Sequence, residues 1–460
     1  MRNQNDDINR HSFLNIQNHY PKFRITTLGC KVNQYESDAI AEQLKNSGCV
    51  PAPSEDKADL CIINTCTVTQ KASMQSRQAV RQAIRSNPKA RIVVTGCYAQ
   101  TEPDAILKID GVHTVIGHGD KHKIPEIVRS SPMENHRRPI LIRRNILLEC
   151  DFKQVPATVF ENRTRPFLKI QDGCDTFCTY CIVPYARGRS RSMATGKVLE
   201  NIRHLKHAGY HEVVLTGVHL GAYGLDLSPK YHLAGLLSRI YESNPIHRVR
   251  LSSIEPHELT QDILTLVAET DVFCDHFHIP LQSGDDSVLK KMHRPYTRSF
   301  FRDLIVKINS LIPDAAIGVD VLIGFPGETE KAFENTYSLI EELPVTYLHV
   351  FPFSVRKGTP ASKYPQQVDS RTIKARCEKM RTLGNQKKQA FYKKFIGKTV
   401  KILIESKRDE STGFLKGITS NYIPVRVNGG DNCINTIVPA RIDRIERNHT
   451  VFGTLSPDVA

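Results

Sequence analysis

Short apolar runs alternate with longer helical stretches between residues 21 and 135. The runs FRITTL, DLCIIN, RIVVT and HTVIG have the length and composition of strands, and segments such as QYESDAIAEQLKNSG between them are typical of helices. The first helix is expected to end at Gly48, because glycine suits the left-handed conformation that closes a helix. Strands that alternate with helices predict an open parallel α/β sheet.

A unit of one strand and one helix recurs between residues 159 and 392. Its strand candidates are residues 167–170, 212–217, 248–253, 276–281, 317–324 and 347–353. Six units favour a curved, partial (βα)6 barrel over a complete barrel of eight, and a flat doubly wound sheet is the alternative. Residues 136–158 carry charge and irregular apolar positions, so we interpret them as a linker.

The pattern changes again in residues 395–460. The segments KTVKILIES, GFLKGI, YIPVRVNG and NTIVPARIDRI alternate apolar with polar residues and are separated by Gly and Asn turns. This pattern predicts a small β-barrel, a fold that often binds nucleic acid; a β cap on the central domain is the alternative. The sequence thus predicts an α/β protein with an open parallel sheet, a partial barrel and a C-terminal β-barrel.

Composition restricts the class of protein. Of the 460 residues, 40% are hydrophobic and 24% are charged, which excludes wholesale disorder. No run approaches the ~18 apolar residues of a spanning helix. Residues 1–20 are rich in Asn and charge and lack the apolar region of a secretory signal, so we expect a disordered extension and a cytoplasmic protein without a membrane partner.

Positive charge is concentrated in one stretch. The chain has a net charge of +15, and eleven lysine or arginine residues lie between Arg371 and Lys401 against one acidic residue, Glu378. Contact with phosphate groups is favoured over a solvated helix face. The candidate RNA-binding residues are Lys387, Lys388, Lys393 and Lys394.

Three of the twelve cysteines form a C-x3-C-x2-C motif directly after the first barrel strand. These residues, Cys174, Cys178 and Cys181, are not expected to form disulfides in a reducing compartment. A structural zinc site normally has four ligands, whereas three thiolates on a [4Fe–4S] cluster leave one iron open to a substrate. A zinc site is the alternative.

A second set of three cysteines lies upstream. Cys30, Cys66 and Cys97 each follow the end of a strand-like run. Because the carboxyl ends of parallel strands share one edge of a sheet, these residues can meet at one point, and their number suggests a second cluster with an open iron. The alternative is burial as small apolar residues, which fits Cys49 and Cys61 well.

These motifs carry a family resemblance. The C-x3-C-x2-C segment is similar to that of the radical S-adenosylmethionine superfamily. The segments TLGCKVNQYES, INTCTVT and TGCYAQ resemble the N-terminal domain of the methylthiotransferases, and GCDTFCTYCIVPYARGRSRS, LTGVHLGAYG, LSSIEP, HIPLQSGDDSVLKKMHRPYT, VDVLIGFPGET and FSVRKGTPA resemble that family's radical domain. The C-terminal barrel is similar to the TRAM module, an RNA-binding fold.

The opening motif also resembles one branch of the family. GCKVNQYES with GVHLGAYG is similar to the branch acting on N6-threonylcarbamoyladenosine of tRNA, whereas the isopentenyladenosine branch usually opens with GCQMN and the branch modifying a ribosomal-protein aspartate with GCPKN. Those two branches are the alternatives within the family. A zinc-stabilised RNA-binding module without catalysis is the alternative of another class.

The resemblance implies a reaction and its cofactors. A methylthio group would be placed on C2 of adenosine 37, 3′ of the anticodon, with one S-adenosylmethionine as methyl donor and a second as the source of a 5′-deoxyadenosyl radical. One [4Fe–4S] cluster, on Cys174, Cys178 and Cys181, would make the radical, and the other, on Cys30, Cys66 and Cys97, would hold the sulfur. The implied partners are the anticodon stem-loop of tRNA, a sulfur donor of unknown identity and a reducing electron donor such as flavodoxin or ferredoxin.

Other residues are weaker candidates. Cofactor contacts are predicted at strand ends and beside the cysteines, where glycine lets a ligand approach the backbone and polar residues bond the ligand. These candidates are Tyr180, Gly217, Gly221, Ser253, Glu255, Gln282 and Ser283. Turn, cap or loop packing is the alternative for each of them. Arg187, Arg189 and Arg191 are predicted to contact phosphate or cofactor, or else to lie in a solvated loop. No side chain is assigned as a catalytic residue, and none of the histidines is assigned to a metal.

Overall fold

The computed structural model describes residues 21–53, 55–130, 139–153, 163–446 and 448–456. The predicted disordered extension, residues 1–20, lies outside these ranges. Within them the chain forms an open sheet, a half-barrel and a closed β-barrel. None of the described helices is both long enough and apolar enough to cross a bilayer.

The described residues of the first domain form six parallel strands and five α-helices. Its strands are β1 Lys22–Thr27, β2 Val50–Pro51, β3 Leu60–Thr65, β4 Arg91–Gly96, β5 Thr114–Ile116 and β6 Ile140–Ile142. Its helices are α1 Lys31–Asn46, α2 Gln70–Ser86, α3 Cys97–Thr101, α4 Pro103–Leu107 and α5 Ile124–Ser130. The strand order is β2-β1-β3-β4-β5-β6, and β3 and β4 are buried along their whole length, as in a parallel sheet covered on both faces. The predicted open parallel sheet is confirmed.

Strand β6 lies in the stretch that the sequence assigns to a linker. Ile140–Ile142 pairs in parallel with β5, and the amide of Ile140 donates to the carbonyl of His113 at 2.9 Å. The assignment of 136–158 as a linker is therefore wrong for these three residues. A single apolar triplet at a sheet edge carries too short a pattern to be recognised as a strand. Residues 136–138 and 154–158 of the same stretch lie outside the described ranges.

The central domain carries the repeated strands. They are β7 Phe167–Lys169, β8 Gln171–Asp172, β9 Arg191–Ser192, β10 Glu212–Thr216, β11 Arg248–Leu251, β12 His276–Gln282, β13 Ala316–Ile323 and β14 Tyr347–Pro352. The helices are α6 Val183–Arg187, α7 Thr195–His207, α8 Leu233–Ser243, α9 Gln261–Glu269, α10 Asp286–Lys291, α11 Arg298–Leu311, α12 Glu330–Glu342 and α13 Ser370–Lys393.

Six of these strands stand side by side in chain order. They form two parallel groups, β7-β10-β11 and β12-β13-β14, which meet where the amide of Ile254 donates to the carbonyl of His278 at 3.0 Å. A doubly wound sheet would reverse its strand order partway, and this one does not. The predicted partial (βα)6 barrel is confirmed, and the flat sheet is excluded.

The two faces of the half-barrel differ in polarity, because successive residues of a strand point to opposite faces. One set of alternate residues packs against the helices in the largest hydrophobic core and includes Leu168, Ile170, Val213, Leu215, Val249, Leu251, Phe277, Ile279, Val319 and Val321. The other set faces the concave side and includes Lys169, Gln171, Glu212, Arg250, His276, His278, Asp320, Tyr347 and His349. The space on this concave, polar side is called the lumen below.

The C-terminal domain is a closed barrel of five strands. They are β15 Thr399–Ile404, β16 Leu415–Thr419, β17 Pro424–Val427, β18 Ile437–Ile445 and β19 Val451–Leu455, arranged in the order β15-β16-β17-β19-β18. The predicted small β-barrel is confirmed. Strand β19 is absent from the sequence prediction, although it completes the ring by pairing with both β17 and β18.

The turn between β16 and β17 closes one end of the lumen. The guanidinium of Arg250 donates to the carbonyl of Ser420 at 2.7 Å and to that of Thr419 at 3.1 Å. The ring of Tyr422 stacks on His276 with centroids 4.5 Å apart. The amino ends of the half-barrel strands are thus covered by the C-terminal domain.

The first domain covers the open side of the half-barrel, between β7 and β14. Arg163, just before β7, pairs with Asp38 of α1 at 3.0 Å. Beyond β14, the hydroxyl of Ser354 accepts from the amide of Gln70 at 2.9 Å, and Arg356 donates to the hydroxyl of Thr67 at 2.6 Å. The first domain therefore contacts both edges of the incomplete barrel.

Candidate active site

The loop with Cys174, Cys178 and Cys181 crosses the carboxyl end of the half-barrel. Its backbone is fixed at Thr179, whose amide donates to the carbonyl of Met292 at 3.2 Å and whose carbonyl accepts from Ala361 at 2.8 Å. Burial raises the pKa of the Cys181 thiol, and the neighbouring Cys178 raises it further. The three thiols thus occupy one short, well-anchored loop at the mouth of the lumen.

Cys174 has a histidine partner. Its Sγ lies 3.4 Å from Nδ1 of His219, and Nε2 of the same ring lies 2.8 Å from Glu258. Burial alone would lower the pKa of His219, but the contacts with Cys174 and Glu258 raise it to about 10. For Cys174 itself burial acts upward, and the His219 contacts lower the pKa below the ordinary thiol value. This thiol is therefore prepared for the thiolate form that binds a metal.

Cys178 has a cationic partner. Arg294 donates to its Sγ at 3.2 Å and forms an ion pair with Glu255, a predicted cofactor-binding residue. The same guanidinium donates to Tyr296, whose hydroxyl donates to the carbonyl of Pro280 at 2.8 Å. Burial raises the pKa of Cys178, and Arg294 opposes that rise. The cation connects the cysteine loop to strand β12 of the lumen.

The other three cysteines follow three neighbouring strands of the first sheet. Cys30 comes after β1, Cys66 after β3 and Cys97 after β4, and these strands are adjacent in that order. A Cβ built on Gly29 would lie 2.9 Å from Sγ of Cys66, so the turn before Cys30 approaches Cys66 closely. Burial raises the pKa of Cys66 to about 11, and the nearby Cys97 and Cys30 contribute to the rise. The structure brings these residues together, as the strand-end pattern predicts.

Arg187 joins the two cysteine regions. It belongs to α6, just after the C-x3-C-x2-C loop, and donates to Glu36 of α1 at 3.1 Å and 3.2 Å and to Asp172 at 2.8 Å. Burial opposes its charge, but Glu36, Asp172, Cys97 and Cys30 together raise its pKa. The predicted role in a solvated loop or in direct phosphate contact is wrong for Arg187, because the packed first domain buries it in an ion network.

The neighbouring arginines differ from Arg187. Arg191 is also buried and donates to the carbonyl of Arg187 at 2.7 Å. Only Arg189 is exposed, where it pairs with Asp175 at 3.3 Å. Of the three predicted contacts, Arg189 alone keeps a guanidinium open to solvent.

Lys31 is a half-buried lysine of the first domain. It is the first residue of α1, next to Cys30, and burial together with Arg250 and Arg165 lowers its pKa to about 8. Both Lys31 and His278 also influence the pKa of His276, which burial lowers. No carboxylate lies within ion-pair distance of Lys31 in the described part of the chain, but the more distant Glu212 and Cys30 oppose the fall of its pKa.

The predicted cofactor-binding residues fall into two groups. Glu255 pairs with Arg294 beside the cysteines, Tyr180 packs edge-on against Phe325 at 6.5 Å, Ser253 is half-buried after β11, and Gln282 ends β12 with a φ of +67°. The remaining three, Gly217, Gly221 and Ser283, have other protein groups close beside them. A Cβ on Gly217 would lie 2.8 Å from Gln171, Gly221 faces the Glu258 carboxylate, and the Ser283 hydroxyl contacts Thr336 at 3.4 Å.

The four candidate RNA-binding lysines lie on α13 or just after it, and they differ in surroundings. Lys393 and Lys394 are exposed. Lys388 is half-buried over the ring of Tyr392. Lys387 donates to the carbonyls of Glu341 and Leu343 at the end of α12. Lys387 is thus engaged within the protein, and the open cationic surface is formed by the other positions.

Both cysteine sets fit an iron–sulfur cluster. Each offers three sulfur ligands next to a buried cation, Arg294 in one case and Arg187 in the other, and cations compensate the negative charge of metal-bound thiolates. His219 and Glu258 support Cys174, in the way that outer partners orient metal ligands. Within the described ranges, no fourth cysteine accompanies either set.

Comparison with known proteins agrees with this arrangement. Residues 22–117 match a family described as uncharacterized protein family UPF0004, and residues 168–340 match the radical SAM superfamily. Threonylcarbamoyladenosine tRNA methylthiotransferase MtaB of Bacillus subtilis (strain 168) is 40% identical over 419 residues, which cover 90% of this chain and 92% of that one. The tRNA-2-methylthio-N(6)-dimethylallyladenosine synthase of Clostridium tetani (strain Massachusetts / E88) is 34% identical over 433 residues, or 92% and 94% of the two chains.

A solved structure shares the fold. The radical S-adenosylmethionine methyltransferase TsrM from Kitasatospora setae superposes with a TM-score of 0.55 at 16% identity, over 75% of this chain and 77% of that one. The half-barrel with a three-cysteine loop at its carboxyl end defines a radical S-adenosylmethionine enzyme, a class that uses a [4Fe–4S] cluster and S-adenosylmethionine. Within this class the chain belongs to the methylthiotransferase family, whose members transfer a methylthio group.

Several residues of the site escape sequence reasoning. Lys31, His219, His278, Arg294 and Asp320 lie inside the segments that carry the family resemblance, but nothing in those segments singles them out as site residues. For His278, Asp320 and His349 the local signal is the period-two placement of polar residues in β12–β14, which marks a strand with one polar face. Their convergence depends on strand register, which a single strand does not specify.

Proposed function

We propose that this enzyme adds a methylthio group to C2 of the adenine in N6-threonylcarbamoyladenosine of tRNA and that it carries two [4Fe–4S] clusters. The observation that carries the proposal is the position of the two cysteine sets. Cys174, Cys178 and Cys181 lie at the mouth of the lumen, and the first domain, which carries Cys30, Cys66 and Cys97, contacts both edges of its open side. A substrate base in the lumen would be accessible from both.

The proposed reaction does not call for a catalytic acid–base pair. The C2–H bond of adenine is not acidic enough for a side-chain base to break it. When bound, the cluster on Cys174, Cys178 and Cys181 together with S-adenosylmethionine supplies abstraction of such an unactivated hydrogen atom. The protein's own task is to hold the reactants and to exclude water.

The side chains around the lumen support that task. His219 and Arg294 orient Cys174 and Cys178, and Arg187 fixes the first domain against the half-barrel through Glu36. The C-terminal barrel closes the far end with Tyr422. We further propose that the exposed cations of α13 bind the tRNA backbone, that a reducing protein such as flavodoxin or ferredoxin delivers electrons, and that the enzyme works in the cytoplasm, where tRNA is modified.

A second substrate, N6-isopentenyladenosine, is favoured by one finding, the 34% identity to a dimethylallyladenosine synthase. Mass spectrometry of nucleosides from total tRNA, with and without this gene, separates the two. Loss of 2-methylthio-N6-threonylcarbamoyladenosine, with gain of its unthiolated precursor, is the expected result. Loss of the 2-methylthio product of N6-isopentenyladenosine instead would mean that this nucleoside is the substrate. An unchanged nucleoside profile would contradict both proposed substrates.

A further inference from the structure

A groove of about 1120 Å³ lies between the first domain and the half-barrel. The first domain contributes α3, α4, β6 and the residues after β6 to its lining, and the half-barrel contributes α6 and the turn at Lys357 and Gly358. Among the described residues, none that lines the groove belongs to the lumen. The groove is therefore a surface separate from the place proposed for the substrate base.

The groove lies next to one cysteine of each set. Cys97 begins α3, and Gln100 of the same helix lines the groove. Ile182 also lines it and directly follows Cys181 in the chain. An α-helix rises about 1.5 Å per residue and neighbouring Cα atoms lie about 3.8 Å apart, so the backbone of each cysteine is about 5 Å or less from that of a groove residue. A partner in the groove would be close to both cysteine sets.

An aromatic contact joins the groove to the C-x3-C-x2-C loop. Tyr185 of α6 lines the groove, and its ring meets that of Phe177 edge to face with centroids 5.7 Å apart. Phe177 directly precedes Cys178, and the guanidinium of Arg189 lies over its ring at 5.4 Å. The φ of Phe177 is +47°, which a bulky residue adopts only where its surroundings hold it. A fixed pair of rings thus connects the groove with the loop of a cluster ligand.

The groove carries an excess of positive charge. Its exposed cations with no carboxylate in ion-pair distance among the residues described are Lys108, Arg143 and Lys357. A fourth cation, Arg144, pairs with Asp120 at 3.0 Å. Of the two acidic residues in the lining, Glu102 pairs with Arg356 at 3.0 Å, which leaves Asp104. Three unpaired positive charges therefore stand against one negative charge.

The cationic groove also offers apolar contact. Leu141 lines it and is exposed. Lys357 and Glu102 are shared with a second hollow of about 560 Å³, which includes Lys71 and the exposed Met74 of α2. Complexes between redox proteins bury small areas, and interfaces combine apolar contacts with a polar rim. The size and polarity of this surface fit such a complex.

We propose that the groove is the docking surface for a small acidic redox protein that reduces the enzyme. The inference rests on the proposed function, in which a protein delivers the electrons. The partner is oxidised by one electron, the cluster held by Cys174, Cys178 and Cys181 is reduced by it, and no bond or proton is exchanged. Opposite charges bring the two proteins together and fix their orientation.

RNA is the other polyanion in the proposed reaction, and it fits this groove less well. Its target base has to enter the lumen, which shares no lining residue with the groove among the residues described. An electron, by contrast, needs only a close approach to the cluster. The two partners can therefore bind at the same time, each on its own surface.

Binding of flavodoxin tests the proposal directly. The probe is a flavodoxin of strongly negative net charge, titrated into the reconstituted full-length enzyme by calorimetry at several salt concentrations. Arg143→Glu combined with Lys357→Glu should weaken binding about tenfold, because like charges then face each other, and should reduce its salt dependence. The matched control, Arg203→Glu combined with Lys206→Glu, makes the same charge change on the exposed face of α7 and should keep the wild-type affinity.

Reduction of the cluster gives a second measurement, followed by electron paramagnetic resonance. Reduced flavodoxin should reduce the Arg143→Glu, Lys357→Glu protein about tenfold more slowly than the wild type, in line with the loss of affinity. Dithionite is a small ion that needs no protein docking surface, and it should reduce both proteins to the same extent. Equal iron contents check that the clusters are intact.

Four outcomes overturn the docking surface. Unchanged flavodoxin binding and reduction in the doubly substituted protein locate the partner elsewhere. Wild-type binding that does not respond to salt removes the electrostatic basis. Weaker binding of an anticodon stem-loop RNA, with flavodoxin binding unchanged, makes the groove an RNA surface. Slower reduction by both reductants assigns the two residues to the integrity of the cluster.

The proposed function is tested separately, with dithionite as the reductant and the wild-type enzyme. Absence of any 2-methylthio product from RNA that carries N6-threonylcarbamoyladenosine would contradict the proposed function. The difference between flavodoxin and dithionite in the doubly substituted protein would still support the docking surface.

Discussion

Arg187 and Glu36 face each other with both guanidinium nitrogens and both carboxylate oxygens, at 3.1 Å and 3.2 Å. One residue follows the C-x3-C-x2-C loop and the other belongs to the first domain, so the pair fixes the two cysteine sets relative to each other. Both side chains are almost fully buried. The first domain and the half-barrel are therefore joined by an ion pair that is shielded from solvent.

Glu36→Gln should destabilise the protein strongly. The substitution removes the negative charge that pairs with Arg187, Lys121 and Lys169. Breaking a buried ion pair by removing one of its charges costs ~3–5 kcal/mol. Urea unfolding measures the loss. Asp38→Asn, which breaks the half-exposed pair with Arg163, should cost less than about 1 kcal/mol. Equal effects of the two substitutions would contradict the role assigned to Glu36.

His118 should make stability depend on pH. Burial and the nearby Arg187 and Lys121 lower its pKa to about 4, against 6.5 for the ordinary residue. The unfolded chain therefore binds the proton first, and the contribution of His118 to the free energy of unfolding should fall by about 2 kcal/mol between pH 7.5 and pH 5. This contribution of His118 to stability is present above 6.5, the pKa of the residue in the unfolded chain, and is lost as the pH falls from there toward its folded pKa of about 4.

The control for this pH effect is a variant without the buried ring. His118→Gln should lose that part of the slope in urea midpoints, whereas the exposed His204→Gln should retain it. Measurements above pH 5 avoid Glu36 and Asp172, whose pKa values lie well below their ordinary range because neighbouring cations outweigh their burial. A wild-type slope in His118→Gln would refute the assignment.

Iron content tests the two cysteine sets separately. After anaerobic reconstitution we expect about eight irons per chain, four for each cubane. Cys66→Ala and Cys178→Ala should each retain about four. Cys61→Ala serves as the matched control, because Cys61 is buried inside β3 rather than beyond its end, and it should retain about eight. An iron content of about four per chain in the wild-type protein would mean that it carries only one cluster.

Arg294 and Glu255 should shift the reduction potential in opposite directions. Arg294→Gln removes a positive donor from Cys178 and should make the cluster harder to reduce, by on the order of 60 mV for each ~1.4 kcal/mol lost. Glu255→Gln removes a negative charge and should make it easier to reduce. Redox titration followed by electron paramagnetic resonance measures both. Shifts of the same sign would exclude an electrostatic cause.

The lysines of the basic helix should separate into two kinds. Replacement of the exposed Lys393 and Lys394 by Ala should weaken tRNA binding and reduce its salt slope by about 2, one for each phosphate contact. Lys387→Ala should cost ~1 kcal/mol of stability instead, because it removes hydrogen bonds at the end of α12. Filter binding over a range of salt and urea unfolding distinguish these effects. An unchanged slope in the Lys393 and Lys394 variant would mean a solvated face.

The strands and the cysteines could be predicted because their signals are local. A strand such as β13 has a continuous apolar pattern, and Cys30, Cys66 and Cys97 each follow such a run directly. The carboxyl ends of parallel strands lie at one edge of a sheet whatever the conformation of the loops. The convergence of the three cysteines can therefore be predicted without knowledge of the intervening chain.

The lumen residues could not be predicted in the same way. Asp320 meets His349 because β13 and β14 pair in that register, and Arg187 is buried only because α1 packs on it. Short elements such as β6 and β19 gain their stability from neighbours already in place. These features depend on tertiary contacts between segments far apart in the chain.

The contact of Tyr422 with His276 gives the C-terminal barrel a role in closing the lumen, separate from the RNA binding predicted for it. A chain cut before Thr399 would lack the cover over the amino ends of the half-barrel strands as well as the predicted RNA-binding domain. Solvent would then enter the lumen at the amino ends of the strands, and a carbon-centred radical would be quenched before it reached the substrate base. Such a truncated enzyme would still consume S-adenosylmethionine, but wastefully, with little of it coupled to modified RNA.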